Sequence, residues 1–245
     1  MKLAVSEHFY SIQGEGKTMG VPAVFLRLTA CNLMCGGRGT EKDKQLHHGA
    51  TWRCDSIEVW KKGTSYEIEE FVELFFNKYE KYFNNRAHLI ITGGEPTLQQ
   101  KQLDKFIKGL IERLGFKPFI EIETNGTIIP QMIYEHIDLI NCSPKLSNSG
   151  EPEKKRIKPD SLRFLNLSPL TIFKFVVSSN TDIDEIMALI AGNSLDLEKI
   201  YLMPSAQDQD ELKQNTKIVA DLCMKHGFNF STRLQIIIWN ETTGV

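Results

Sequence analysis

Short apolar segments rich in β-branched and aromatic residues alternate with segments of helical periodicity along most of this 245-residue chain. The predicted strands are AVFLRL (23–28), HLIIT (88–92), FIEIET (119–124), IDLINC (137–142), IFKFVV (172–177), KIYLM (199–203) and LQIIIW (234–239). The predicted helices cover residues 66–83, 103–115, 183–192 and 211–227. Because repeated strand-then-helix units build parallel sheets, the pattern predicts an α/β fold with an open sheet or a full or partial barrel.

Turn-forming and polar residues follow four of the predicted strands. The sequences TGGEPT, TNGT, SPK and MPS come directly after HLII, FIEIE, IDLINC and KIYL. The carboxyl ends of parallel strands meet at one edge of a sheet, and catalytic loops collect at that edge. The sequence therefore predicts a site built from these loops.

The composition narrows the classes of function. The chain is 41% hydrophobic, and its formal net charge is -2 with Lys and Arg scattered, so direct binding to nucleic acid is not expected. The sequence shows neither a signal peptide nor an apolar run of about 18 residues, so we expect a soluble, cytoplasmic protein without membrane contact. We expect a single domain, 1–245, with a loop insertion at about 36–53.

Three of the five cysteines flank the polar insertion. Cys31, Cys35 and Cys54 have the spacing C-x3-C and then C-x18-C, and an odd number of cysteines in a reducing compartment argues against a disulfide framework. With His47 or His48 they could bind structural zinc. Alone they could hold three irons of a 4Fe-4S cluster and leave one iron open. The spacing leaves both hypotheses open. Two further cysteines lie in apolar patterns and are expected to be buried: Cys142 and Cys223.

Several short motifs decide between these hypotheses when they are taken together. They are FYSIQGEG (9–16), CNLMC (31–35), CDS (54–56), TGGEP (92–96), SPK (143–145) and WNETTGV (239–245). In this order they resemble the 7-carboxy-7-deazaguanine synthase family of radical S-adenosylmethionine enzymes, and the resemblance runs from residue 9 to the C-terminus. It implies an open, partial TIM-like barrel. It also implies a lyase that converts 6-carboxy-5,6,7,8-tetrahydropterin to 7-carboxy-7-deazaguanine and ammonia, in queuosine-type biosynthesis.

The resemblance implies three cofactors, namely a 4Fe-4S cluster, S-adenosylmethionine and Mg²⁺. Cys31, Cys35 and Cys54 would ligate the cluster, and Ser56 would ligate Mg²⁺. The hydrogen-abstracting species would be a 5′-deoxyadenosyl radical, so no side chain is assigned as catalytic. The residues implied to bind S-adenosylmethionine are Arg53, Cys54, Asp55, Gly94, Glu95, Ser143, Pro144 and Lys145. Thr124 and Asn125 are weaker candidates for the same cofactor.

The resemblance also implies a set of substrate-binding residues: Ile12, Gln13, Gly14, Arg27, Thr92 and Val245. The residues themselves support one of these, because an inward guanidinium in the apolar run AVFLRL needs an anionic partner such as the substrate carboxylate. The α-carboxylate of Val245 would accept hydrogen bonds from the amino-pyrimidine edge of the pterin. Glu15 would accept from ring nitrogens. The implied partners are the pterin, an electron donor such as flavodoxin or ferredoxin, and a second copy of the chain in a homodimer.

The chain departs from the family pattern around the third cysteine. The family commonly has C-x2-C, whereas eighteen residues separate Cys35 from Cys54 here. Because the entropy of loop closure grows only logarithmically with length, the cluster can tolerate this insertion. Arg53 stands where relatives often have an aromatic residue, which leaves the adenine contact near Arg53 and Asp55 open. The alternative functions are a glycyl-radical-activase-like enzyme and a non-catalytic zinc-binding module.

Overall fold

The computed structural model describes residues 1–40, 45–242 and 244, and these residues form an α/β fold around one sheet. The strands are β1 (Lys2–Ile12), β2 (Pro22–Leu28), β3 (Thr64–Glu67), β4 (His88–Gly93), β5 (Ile120–Thr124), β6 (Leu139–Cys142), β7 (Thr171–Val177), β8 (Ile200–Pro204) and β9 (Asn229–Phe230). Their order is β3-β1-β2-β4-β5-β6-β7-β8-β9. Strand β1 is antiparallel to β2 and β3, and β2 is followed across the sheet by parallel strands. The sheet is an open, partial TIM-like barrel, as predicted.

Eight α-helices lie in the described part of the chain. They are α1 (Ile57–Trp60), α2 (Ile68–Asn84), α3 (Gln100–Leu114), α4 (Glu153–Arg156), α5 (Pro159–Leu167), α6 (Asp182–Asn193), α7 (Gln209–His226) and α8 (Leu234–Trp239). The predictions of α2, α3, α6 and α7 are confirmed. Helices α3 and α7 each end at a left-handed glycine, Gly115 and Gly227. Among the described helices, none is both long enough and apolar enough to cross a membrane.

The prediction of a final strand at LQIIIW was wrong, because these residues form helix α8. A run of three isoleucines is typical of a buried strand, but here only Ile236 is buried, whereas Ile237 and Ile238 are exposed. Ile236 packs with Ala206 and Leu212 in a small cluster of its own. The helix therefore turns one isoleucine of the three inward.

Strand β1 and the short strands β3 and β9 were missing from the prediction. Strand β1 is the longest of the three. Its sequence KLAVSEHFYSI alternates poorly because Ser, Glu and His interrupt the apolar residues. Only Leu3 and Val5 in it are fully part of the core. The strand is instead held by backbone pairing on both sides, with β2 and with β3. Gly14 and Glu15, which follow the strand, lie in the connection from β1 to β2.

The alternation of residues along the strands gives the sheet one apolar face and one polar face. On β5, Ile120 and Ile122 belong to the main hydrophobic core, where α2 and α3 pack against the sheet. Glu121 and Glu123 alternate with them and therefore point to the opposite face. Lys174 of β7 is also buried on that polar side, in contact with Glu123. Buried charges on the polar face position the site described below.

His8 gives a test of the packing between β1 and α2. Its Nδ1 lies 2.8 Å from the Tyr79 hydroxyl, which donates to the His8 carbonyl oxygen. Burial, together with the positive charge of Lys78, lowers the pKa of His8 to about 4. Between about pH 4 and 6.5 the unfolded chain therefore binds more protons at this residue than the folded chain, so stability should rise with pH in that window.

We predict that His8→Gln, which keeps a polar side chain but does not titrate, flattens this rise by up to about one proton. The measurement is the free energy of urea unfolding between pH 4.5 and 7.5. His48→Gln, at an exposed position, controls for the loss of a histidine as such. An unchanged slope in the His8 variant would contradict the assignment.

Candidate active site

A cavity of about 310 Å³ opens on the polar face, where the parallel strands end. Most of the predicted site residues line it: Ile12, Gln13, Gly14, Arg27, Cys31, Cys35, Arg53, Cys54, Asp55, Ser56, Thr92, Gly94, Ser143 and Lys145. Glu95 and Pro144 are not among the lining residues. Val245 lies outside the described residues. One cavity thus collects loops that are far apart in the sequence.

The three predicted cluster ligands lie in the wall of this cavity. Cys31 and Cys35 follow β2, and Cys54 is joined to them because its N–H donates to the Cys35 carbonyl oxygen at 3.2 Å. The insertion therefore leaves and returns at one place. All three are free cysteines. Burial raises the pKa of the Cys31 thiol to about 11 and that of Cys35 further, so an incoming metal must displace the thiol protons.

The spacing of the cysteine sulfur atoms distinguishes between two hypotheses, a 4Fe-4S cluster and a zinc ion. A tetrahedral zinc ion with Zn–S bonds of about 2.3 Å brings its sulfur ligands to about 3.8 Å from one another. The sulfur atoms of Cys31, Cys35 and Cys54 are not all within 4.8 Å of one another, and in the described residues neither His47 nor His48 joins such a group. A cubane cluster binds each cysteine at a different iron and suits a wider arrangement. The residues therefore fit a 4Fe-4S cluster better than zinc.

The described parts of the insertion pack against the segment that follows β6. Gly36 N–H donates to the Ser149 carbonyl oxygen, and Thr51 N–H donates to the Asn148 carbonyl oxygen, both at 2.9 Å. The Trp52 indole N–H donates to Asn148 Oδ1 at 2.8 Å. Trp52 also lines the cavity. The described parts of the insertion therefore form part of the cavity wall. Residues 41–44 within the insertion lie outside the described residues.

Arg53 holds the two ends of this wall together. Its guanidinium donates from Nε to the carbonyl and hydroxyl oxygens of Thr40, at 3.2 Å each, and forms a bidentate ion pair with Glu58 of α1. The side chain is only 5% exposed. These contacts account for the burial of an arginine beside Cys54. They give Arg53 a structural role, and its predicted contact with the adenosine group stays a prediction.

Gly94 allows the end of β4 to approach the cysteine loop. A Cβ atom at this position would collide with the Ala30 carbonyl oxygen and with Cβ of Cys31. The next residue, Glu95, donates its N–H to the same Ala30 carbonyl oxygen at 2.8 Å. The strand end and the cysteine loop are thereby fixed to each other. Only glycine fits between them.

The Glu95 side chain is fully buried and already hydrogen-bonded. Its Oε1 accepts from the N–H and hydroxyl of Thr97 and from the Thr124 hydroxyl, and its Oε2 accepts from Asn125 N–H. Burial raises the pKa of this carboxyl despite these bonds. The residue links the ends of β4 and β5. A contact between Glu95 and the ammonium of S-adenosylmethionine stays a prediction.

Known proteins resemble the chain over nearly its whole length. No family model matches it. It is 31% identical to the 7-carboxy-7-deazaguanine synthase of Halobacterium salinarum, and the match covers 98% of this chain and 91% of that protein. It is 29% identical to the enzyme of the same name from Pyrobaculum aerophilum, over 99% and 97%. The chain belongs to the 7-carboxy-7-deazaguanine synthase family. The crystal structure of QueE from Escherichia coli has the same fold, with a TM-score of 0.64, 24% identity and coverage of 96% and 95%.

Arg27, the residue predicted to bind the substrate carboxylate of a 7-carboxy-7-deazaguanine synthase, is held by an acidic neighbour. Arg27 lies opposite Glu7 on the neighbouring strand, and its Nε donates to Glu7 Oε1 at 2.8 Å. Glu7 therefore orients a guanidinium that lines the cavity. Phe9 and Phe25 stack beside this pair with ring centroids 5.0 Å apart. The described end of the chain also reaches this place, because Gly244 lines the cavity near Glu7.

A network of buried charges that the sequence pattern did not predict lies in the same cavity. Lys174 is 2% exposed, and its Nζ donates to Glu15 Oε2 at 2.7 Å and to Glu123 Oε2 at 3.1 Å. Glu15 Oε1 accepts from Arg233 Nε at 3.2 Å and from Gln235 Nε2 at 2.8 Å. Glu15 thus has three protein partners, and its predicted contact with the ring nitrogens of the pterin stays a prediction. The signal was present, since Lys174 and Glu123 are charged residues inside apolar strands, as Arg27 is.

This network pushes the pKa values of its two carboxyl groups apart. Burial alone would raise the pKa of Glu15, but Lys174 and Arg233 together hold it far below its usual range. Burial raises the pKa of Glu123, and the nearby charge of Glu15 adds to the effect against the opposing attraction of Lys174. Glu15 is thus ionised, and the two carboxyl groups differ in their affinity for protons although they share one site.

Ser56, the predicted Mg²⁺ ligand, lines the cavity beside Cys54. It precedes α1, but its side chain makes no capping hydrogen bond to that helix. Its Oγ lies 3.4 Å from Cys54 Sγ. The simplest structural explanation for a serine at this position, helix capping, is therefore not supported.

We predict that replacing Cys31, Cys35 or Cys54 by Ala abolishes iron binding in the folded protein, because a cluster cannot keep its iron with one of three protein ligands removed. The measurement is iron per chain after anaerobic reconstitution. Cys142→Ala and Cys223→Ala are the controls, since both residues are buried away from the cavity and should retain iron. A larger loss from His47→Ala than from Cys54→Ala would contradict the cluster assignment.

Proposed function

We propose that the chain converts 6-carboxy-5,6,7,8-tetrahydropterin to 7-carboxy-7-deazaguanine with release of ammonia, as a radical S-adenosylmethionine lyase of the queuosine-type 7-deazaguanine pathway. One observation carries the proposal beyond family membership. Three free thiols and the guanidinium of Arg27 line the same cavity. The proposed reaction needs a cluster and a cation that binds the substrate carboxylate, and the cavity offers residues for both.

The cofactor would be held by residues of the cysteine-lined wall. Cys31, Cys35 and Cys54 would ligate the 4Fe-4S cluster, which, once reduced, supplies the electron that cleaves S-adenosylmethionine to a 5′-deoxyadenosyl radical. The backbone around Gly94 offers close approach to the methionine group. Lys145 and Ser143, whose Nζ and Oγ are 2.9 Å apart, offer polar contacts to the same cofactor.

The substrate would lie between Arg27 and the buried charge network. Arg27 and Thr92 are paired neighbours on β2 and β4 and would contact the substrate carboxylate together. Gln13 is buried and donates to Glu123 Oε1 at 3.2 Å, which fixes its amide beside the pterin site. Glu123 accepts from Lys174 through its other oxygen, Oε2, and so links Gln13 to the buried cation. The side chains would thus bind and orient the substrate, while the cofactor supplies the radical.

The proposal includes partners. The electron would come from a one-electron donor such as flavodoxin or ferredoxin. A homodimer stays a family expectation. A thiol-ligated cluster and free cysteines suit the reducing cytoplasm, where we expect the protein to act.

The reconstituted protein tests the proposal directly. Incubation with reductant, S-adenosylmethionine and the carboxylated tetrahydropterin should yield 7-carboxy-7-deazaguanine, detected by mass. Arg27→Ala should raise the KM for the pterin by roughly tenfold to a hundredfold through loss of a charge-assisted contact, and should leave slow cleavage of S-adenosylmethionine. Arg113→Ala, at a surface ion pair with Glu73, is the control. No product from iron-loaded wild-type protein would refute the proposed function.

Ser56 makes a separate prediction about Mg²⁺. The ion prefers oxygen ligands and keeps several waters, so one serine hydroxyl with substrate oxygens suffices. We expect Ser56→Ala to lower turnover and to reduce its stimulation by Mg²⁺, without changing iron content. Ser56→Thr keeps the hydroxyl and should restore the stimulation. Undiminished stimulation in the alanine variant would exclude Ser56 as a ligand.

A further inference from the structure

Arg233 is a partly buried cation for which the proposed mechanism has no role. It precedes α8, and its side chain is 13% exposed in the wall of the cavity. Its guanidinium makes contacts in three directions. Nη1 donates to the Ala206 carbonyl oxygen, Nη2 forms an ion pair with Asp55 Oδ2, and Nε donates to Glu15 Oε1 at 3.2 Å.

The two carboxylates that Arg233 contacts belong to different halves of the site. Asp55 stands between Cys54 and Ser56 in residues 53–58, which we call the cluster loop because it is predicted to bind the cluster and Mg²⁺. Glu15 follows Gly14 in residues 13–17 of the connection from β1 to β2, which we call the substrate loop because it lies on the predicted substrate side. There Glu15 forms an ion pair with Lys174. Asp55 and Arg233 are 178 residues apart in the sequence. One side chain therefore connects the cluster loop, the substrate loop and the C-terminal helix.

The shape of a guanidinium suits this task. It carries five N–H donors in a rigid plane, so it can hold two carboxylates and a carbonyl oxygen at fixed angles. A lysine ammonium at the same position has one nitrogen atom and cannot reach partners on opposite sides with the same geometry. The charge balance also requires a cation, because Glu15 is ionised and buried between Lys174 and Arg233.

We infer that Arg233 is a positioning residue that sets the distance between the cluster loop and the substrate loop. This inference rests on the proposed function. It goes beyond that function because it gives the C-terminal segment control over coupling, meaning that each cleavage of S-adenosylmethionine leads to product rather than to free 5′-deoxyadenosine. Reacting atoms must approach to within about 3–3.5 Å, and a displacement of about 1 Å can cost on the order of a hundredfold in rate.

A purely structural role for Arg233 would have a different signature. The Asp55 side chain is 51% exposed, and ion pairs with exposed partners contribute little to the stability of the folded chain. The contact with Asp55 is therefore expected to matter for the relative position of two loops more than for folding. This difference makes the two roles separable by experiment.

The test compares Arg233→Met, Arg233→Lys and wild-type protein. Methionine keeps much of the length of the side chain without charge, and lysine keeps the charge without the planar donors. Arg113→Met is the matched control, since Arg113 makes an exposed ion pair with Glu73 far from the cavity lining. The readouts are iron per chain, the KM for the pterin, and the ratio of released 5′-deoxyadenosine to 7-carboxy-7-deazaguanine.

For Arg233→Met we expect wild-type iron content and a ratio of 5′-deoxyadenosine to product that rises by roughly tenfold to a hundredfold. The ratio for Arg233→Lys should lie between those of wild type and Arg233→Met, and the ratio for Arg113→Met should match that of wild type. Asp55→Asn should raise the ratio in the same direction, and adding it to Arg233→Met should have little further effect, because Arg233→Met already removes the ion pair with Asp55. A wild-type ratio in Arg233→Met, or a loss of iron equal to its loss of product, would overturn the inference.

Hydrogen exchange in the protein without cofactors gives a readout that does not depend on the reaction. In Arg233→Met the amides of residues 13–17 and 53–58 should both exchange faster, whereas those of β5 and β6 should not. Unchanged exchange in both loops would also overturn the inference. If wild-type protein makes no product while both loops exchange faster in the variant, the proposed function fails and the link between the loops stands.

Discussion

The burial of the Lys174 ammonium is the constraint on which the site depends. A charge taken out of water needs partners of opposite charge with good geometry, and here Glu15 and Glu123 provide them. The three side chains come from β7, from β5 and from the connection after β1, so the charge requirement fixes three separate segments at once. In general, removing one partner of a buried ion pair costs about 3–5 kcal/mol, because the remaining charge is left uncompensated. The polar face of the sheet is therefore as strongly specified as the apolar one.

The same logic explains how the chain accommodates its insertion. Cys35 and Cys54 are joined by a backbone hydrogen bond at the neck of the loop, so the length of the excursion does not affect the spacing of the two ligands. The excursion is nonetheless more than a tolerated loop. Arg53 joins Thr40 near its beginning to Glu58 just beyond its end, and Trp52 adds a wall to the cavity. The insertion thus replaces solvent beside the cysteines with packed protein.

The sequence predicted the parts of the fold that depend on local pattern. The parallel strands from β2 to β8, the four long helices and the edge that carries the site all follow from hydrophobic periodicity and from the rule that loops at strand carboxyl ends build sites. Helix α8 was missed because Ile236, Ile237 and Ile238 have the composition of a strand, and only tertiary packing shows that one of them faces inward. Lys174 was missed because a charge within a strand is usually read as solvent-exposed. The partner of Asp55 could not be foreseen, since it comes from the other end of the chain.

The side-chain amide of Gln235 is oriented by the buried charge network. Its Nε2 must face Glu15, because an ionised carboxylate only accepts hydrogen bonds and the amide oxygen would be repelled there. The amide is therefore oriented by Glu15, and its Oε1 is buried against Gly14 without a hydrogen-bond partner among the described residues. A buried acceptor without a donor is unfavourable, and such atoms concentrate where function requires them. The oxygen is itself buried, although the side chain to which it belongs lines the cavity. The charge of Glu15 thus fixes the orientation of the amide, and the unsatisfied oxygen beside Gly14 is the consequence of that orientation.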